Sequence, residues 1–150
     1  MGDRNKNILD SIGSLIPGYE GYVNRSNLRE DDKKIRNKIF EIIESKILGI
    51  KDNMLINIDK NEFVLKSETV IKLLENSKTK ILYLPYGTSG FFSDKKITSD
   101  DLKLIYEMDL NLLVLSNKLE EINDLDEIKN LNNSILVKLN DRNLFLKEFY

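Results

Sequence analysis

Twenty-five carboxylates, twenty-three lysines and arginines and six tyrosines make up most of the reactive inventory of this 150-residue chain, which has no histidine and no cysteine. Lack of histidine removes the usual proton shuttle near neutral pH and the commonest metal ligand. Lack of cysteine removes disulfides, thiol nucleophiles and thiolate metal sites. Acid–base chemistry would therefore rest on Asp, Glu, Lys or Tyr, and the spacing of the carboxylates argues against it. Asp31-Asp32, Asp100-Asp101 and Glu120-Glu121 are adjacent pairs, and adjacent residues diverge on a helix. Glu41 and Glu44 do share a face, but the Glu-x-x-His partner of a di-iron helix site is missing. The expectation is a non-enzymatic protein with no catalytic residue, no metal and no cofactor.

Recognition chemistry is better represented than catalysis. Arg25, Arg29, Asp32 and Arg36 recur at steps of four, three and four, which places them on one helix face. Asp32 can pair with Arg29 or Arg36, leaving guanidinium donors over. Arginine presents a planar fork suited to carboxylates and phosphates. Between Thr98 and Glu127 lie nine carboxylates against two lysines. One reading turns this acidic surface toward the arginine face inside the molecule. The other directs the arginines at an acidic protein, phospholipid headgroups or a nucleic acid. A net charge of −2 and a pI near 5.3 disfavour the nucleic acid, whose footprint is a strong basic patch.

Asp109, in "YEMDLNLL", falls four residues after Ile105 and three before Leu112, on or beside an apolar seam. A carboxylate there needs a partner, because burying an unpaired charge is costly. Arg29, Arg36 or the backbone N–H groups of a Tyr86-Gly87 turn are the expected partners, and the role is structural.

Two loops concentrate the scarce glycines and both prolines: "IPGYEGY" (16–22) and "LPYGTSGFFSD" (84–94). Each has Pro, two glycines three apart, and flanking Tyr or Phe. Tyr19, Tyr22, Tyr86, Phe91 and Phe92 either plug the open end of a helical assembly or form a docking surface with Arg25, Arg29 and Arg36. Tyr suits both, since its ring packs while its hydroxyl reaches water or a carbonyl. Neither loop has the Gly-Lys-Ser/Thr ending of a phosphate-binding P-loop.

The elements that must hold these residues are helices. Val23-Asn24 with Leu28, Ile58-Asp59 with Phe63, and Ile97-Thr98 with Leu102 each pair an N-cap with a hydrophobic staple. Glu62 completes a capping box with Asp59, and Glu127 does so with Asp124. Helical spacing then predicts a first long helix through Ile35, Ile39, Ile42, Ile43 and Ile47, ending near Gly49, and a second from Phe63 through Val70, Leu74 and Ile81 to Pro85. A third carries the seam Ile105, Met108, Leu112, Leu115, Leu119 and Ile122. The fourth carries Ile128, Leu131, Ile135, Leu139, Leu146 and Phe149. The short Asn123-Asp124 junction makes the last two an antiparallel hairpin. A further short helix is expected over 7–16, with Ile8, Leu9, Ile12 and Leu15 apolar, and "NMLINIDKNEFVL" is open to an alternative β-hairpin reading.

The expected fold is thus all-α: an antiparallel four-helix bundle with a short N-terminal helix and two Gly–aromatic loops, in one domain over 1–150 (1–22 leading, 23–150 bundle). No apolar run approaches the roughly 20 residues that span a bilayer, and 1–16 lacks the apolar core of a signal peptide. A cytoplasmic protein is the expectation.

"IPGYEGYVNRSNLREDDKKIR", followed by Tyr86-Gly87-Thr88-Ser89-Gly90-Phe91-Phe92 and Tyr106-Glu107-Met108-Asp109, resembles a family of small, mostly helical prokaryotic proteins. That family has Ile-Pro-Gly-Tyr-x-Gly-Tyr, a helix ending in Asp-Lys-x-x-Arg, a Tyr-Gly-x-x-Gly-Phe/Leu-Phe loop and a Tyr-x-x-Asp motif in this order. This chain has an added lysine in Asp32-Lys33-Lys34-Ile35-Arg36. The resemblance covers about 16–119 and implies no established activity. It implies a genetic association with band-7 (SPFH) membrane-scaffold proteins, hence an adaptor or membrane-associated role. The expected function is an interaction or adaptor module for a protein partner. The competing expectation is a peripheral membrane protein inserting Ile8, Leu9, Ile12 and Leu15; a small-molecule binder or enzyme is third. Self-association through the third helix stays open.

Overall fold

Five α-helices make up the computed structural model, which describes residues 3–16, 25–83 and 98–147, with side chains described over 8–16, 30–82 and 98–147. They are α1 (Asp3–Leu15), α2 (Arg25–Ile56), α3 (Asn61–Tyr83), α4 (Ser99–Glu121) and α5 (Leu125–Leu146). No strand occurs among the described residues. The β-hairpin reading of "NMLINIDKNEFVL" is therefore set aside: α2 runs to Ile56, and Asn57–Asp59 form the turn into α3.

Helix α2 passes through Gly49 instead of stopping there. A side chain at Gly49 would meet nothing within 4 Å, so its glycine answers no crowding by the chain itself. Ile50, one residue on, is buried like Ile39, Ile43 and Ile47, and this continued burial carries the helix past the weak residue. Helix α3 starts one residue later than its predicted cap. The Val64 N–H donates to Lys60 O at 3.0 Å, which puts Lys60, not Asp59, at the cap.

The α4 start follows its sequence signal. Thr98 Oγ1 accepts from the Asp101 N–H at 3.1 Å while Asp101 Oδ2 accepts from the Thr98 N–H at 2.9 Å, a reciprocal capping box. Asp124 likewise caps α5, accepting from the Glu127 N–H at 3.0 Å.

Contacts define the arrangement. α2 packs on α3 and on α4, α5 packs on α4 and on α3, and α1 lies against α4. Cross-helix bonds give the directions. Arg36 of α2 reaches Ile81 O near the end of α3, while Lys46 reaches the last carbonyls of α4. α2 and α3 are thus antiparallel, whereas α2 and α4 run parallel. α3 and α5 also run parallel, with Lys66 near the start of one bonded to Asp126 near the start of the other. Among the four long helices the contacts run from α3 to α2, α2 to α4, α4 to α5 and α5 back to α3. The core between them is built from Ile and Leu, including Ile39, Ile43, Leu74, Leu112 and Leu139.

α4 is buried on two sides. Ile105, Leu112 and Leu119 enter the core, while Tyr106 and Leu113 occupy adjoining positions that are also covered. A helix flanked by α1 as well as by α2 and α5 needs this wide apolar surface. Ile12 and Ile16 are buried and Ile8, Leu9 and Leu15 pack against the core, so the apolar stripe of α1 is engaged.

Candidate functional site

The chemistry-bearing residues singled out by spacing converge on one buried ionic cluster, with an organiser that spacing did not indicate. Arg142, on α5, is fully buried. Its Nε donates to Asp109 Oδ1 on α4, and its Nη1 donates to Asp32 Oδ1 on α2. Asp32 is shared: its other oxygen lies 3.0 Å from Arg36 Nε, one turn along α2. Arg36 Nη1 donates onward to Ile81 O of α3 at 3.2 Å. Two guanidinium groups therefore tie all four long helices together. Asp31 and Tyr106 are buried close by in sequence and engaged as well.

Asp109 pairs with Arg142, a partner that spacing did not indicate; of its expected partners, the Arg29 side chain and the Tyr86-Gly87 turn lie outside the described residues. α4 and α5 form a hairpin, so a residue midway along α4 faces one late in α5, and an arginine has the fork to reach a second carboxylate beyond. The i,i+4 pair Asp32–Arg36 stands as spacing predicted. Arg36 is 3% exposed, so it belongs to the interior and not to an outward-facing arginine surface. The backbone of Arg25 and Arg29 is helical; their side chains, and all of Tyr19, Tyr22, Tyr86, Phe91 and Phe92, lie outside the described residues.

Electrostatics make this cluster a clamp. Withdrawing charges from water costs several kcal/mol per ion, and attraction in a dry interior offsets that only with good geometry. Here both oxygens of Asp32 and Oδ1 of Asp109 lie against arginine nitrogens. Among the described residues no group of three or more acidic side chains is arranged to hold a metal ion.

The opposite end carries a different polar feature. Lys46 Nζ donates to Ile122 O at 2.6 Å and to Glu120 O at 3.1 Å, satisfying carbonyls at the end of α4. Burial holds its ammonium below the usual lysine range, opposed by the nearby Glu120 carboxylate. Lys66 is the converse: the hydrogen bond it donates to Asp126 Oδ2 raises it, at an exposed position.

Comparison of the chain with protein-family models, with curated proteins and with solved structures returns no match. Among the described residues no helix is long and apolar enough to cross a membrane.

Proposed function

We propose that α2–α5 form a four-helix bundle, antiparallel within the α2–α3 and α4–α5 hairpins and parallel where the hairpins meet, with α1 as a short added helix, and that the protein is a cytoplasmic, non-enzymatic interaction module. Its contact surface is the end of the bundle carrying 17–24 and 84–97, and its occupant is a protein partner. The observation that supports this reading is convergence: the directions of the helices bring the start of α2, the end of α3 and the start of α4 to one end. Residues 17–24 lead into the first of these, and 84–97 join the other two, so on this reading both Gly–aromatic segments belong to that end. The ionic cluster lies a few turns below it and fixes the spacing of the helices that support it. The motif order resembling the small helical family spans this same end and favours the same assignment.

Arg36 leaves the contact surface, since its charge is spent on Asp32 and Ile81. Tyr19, Tyr22, Tyr86, Phe91 and Phe92, with Arg25 and Arg29, remain as contact residues. Replacing the five aromatics by serine removes a partner captured by cross-linking in the source cell, with the thermal midpoint kept within a few degrees. Unchanged capture by that variant refutes the surface. Membrane association through Ile8, Leu9, Ile12 and Leu15 requires α1 to leave α4, because those residues pack against the core. Flotation with liposomes that is lost on deleting 1–16 would transfer the assignment to the membrane reading.

A further inference from the structure

At the end of the molecule remote from the ionic cluster, a cavity of about 200 Å³ opens between α2, the start of α3 and the α4–α5 junction. Ile50, Phe63, Leu125 and Ile128 form its apolar lining. The ammonium of Lys46 and the amides of Asn53 and Asn123 supply polar groups at the same walls. Gly49 forms part of the lining in the interior of α2, where glycine lowers helix stability relative to any ordinary residue. A Cβ there would touch no protein atom within 4 Å. Gly49 is itself exposed, so this open position lies at the rim of the cavity and faces solvent.

From the cavity, its buried apolar floor of Ile50, Leu125 and Ile128 and the half-buried cation beside it, we propose that this is a binding site for a small carboxylate with a compact apolar body. Size fits a single ring or a branched aliphatic acid, since an enclosed apolar cavity of roughly 150 Å³ already accommodates benzene. Charge fits because Lys46 uses two of its three donors on Glu120 O and Ile122 O and, being partly desolvated, gains from an added anion. Glu120, also on the lining, repels any added anion and a dianion more than a monoanion. This site is separate from the proposed partner surface, and neither reading depends on the other.

The test is a titration of the full chain with benzoate and with neutral benzamide, read from the backbone amide NMR shifts of Gly49, Asn53 and Asn123. Saturable shifts with benzoate are expected, with benzamide weaker by about tenfold or more. Lys46→Met abolishes that preference. Gly49→Leu fills the space and removes the benzoate response, while raising the thermal midpoint through better helix propensity. The proposal is overturned if benzoate gives no saturable shift, if benzamide binds equally well, or if folded Gly49→Leu binds as before.

Discussion

Where α2 and α4 begin, Asp32, Asp109 and Arg142 are withdrawn from water, while around the α2–α3 turn Leu55, Ile56 and Ile58 stand in it, Ile56 at 77% exposure. Lengths explain the inversion. Lys46 already reaches the end of α4, so the rest of α2, through Ile56, has no α4 to pack against. At the other end all four long helices are present, and the space among them is filled by groups whose partners must be matched one by one. Apolar contacts tolerate sliding, whereas an arginine shared between two aspartates accepts one arrangement. The clamp end defines how the helices meet; the turn end has freedom to leave a cavity.

The sharpest way to break this contrast is Arg142→Met. Removing the arginine takes a charged partner from both Asp32 and Asp109 in the interior and costs about 3–5 kcal/mol, a large part of the 5–15 kcal/mol typical of a domain. Urea unfolding reads it as a lower midpoint. Arg142→Lys does not restore stability, because a single ammonium cannot reproduce the fork. The double variant Arg142→Met/Asp109→Leu recovers much of the loss, since Asp32 keeps Arg36. Losses that simply add would deny the coupling.

Smaller is the effect of the α4 cap. Thr98→Ala removes the hydroxyl that accepts from Asp101 and lowers stability by about 1 kcal/mol in the same assay. At the turn end, Ile56→Ser changes stability by less than about 0.5 kcal/mol. A drop comparable to that of a core isoleucine would show that this end is covered in solution and would cancel the contrast.

The least effect is on alkaline stability, and the two lysines differ in sign. Lys46 has a folded pKa below 10.5, so the unfolded chain binds its proton more tightly; its contribution improves as pH climbs from the folded value toward 10.5. Lys66 has a folded pKa above 10.5, so its contribution is whole below 10.5 and is lost as pH rises through the folded value. Lys46→Met and Lys66→Met should therefore tilt the unfolding midpoint in opposite directions across this range, Lys66 only slightly because it is exposed.

Helix identity was legible wherever a side chain signals a boundary. Thr98 with Asp101 and Asp124 with Glu127 behave as caps, since capping is a local bond between residues three apart. Gly49 misled because glycine weakens a helix without ending it when flanking residues are buried. Asp59 misled because the turn closes with the Lys60 N–H on Asn57 O, shifting the start by one. Asp109 was recognisable as buried from its place on the seam. Arg142 was not, because "NDRN" has the composition of a solvated face. A signal did exist: from Leu139 to Leu146 is two helical turns, and the buried face must include an intermediate residue, which is Arg142. Partner choice between helices depends on which of them are neighbours, and periodicity within one helix holds no information on that.

Asp32 and Arg142 are 110 residues apart in the chain, while α2–α3 and α4–α5 are each joined by a short turn. Within the cluster Arg142–Asp109 lies inside the α4–α5 hairpin and Arg36–Ile81 inside the α2–α3 hairpin, so Arg142–Asp32 is the bond that joins the two. A docking offset by one turn would leave the guanidinium among isoleucines and leucines, so that one bond favours a single register of hairpin on hairpin.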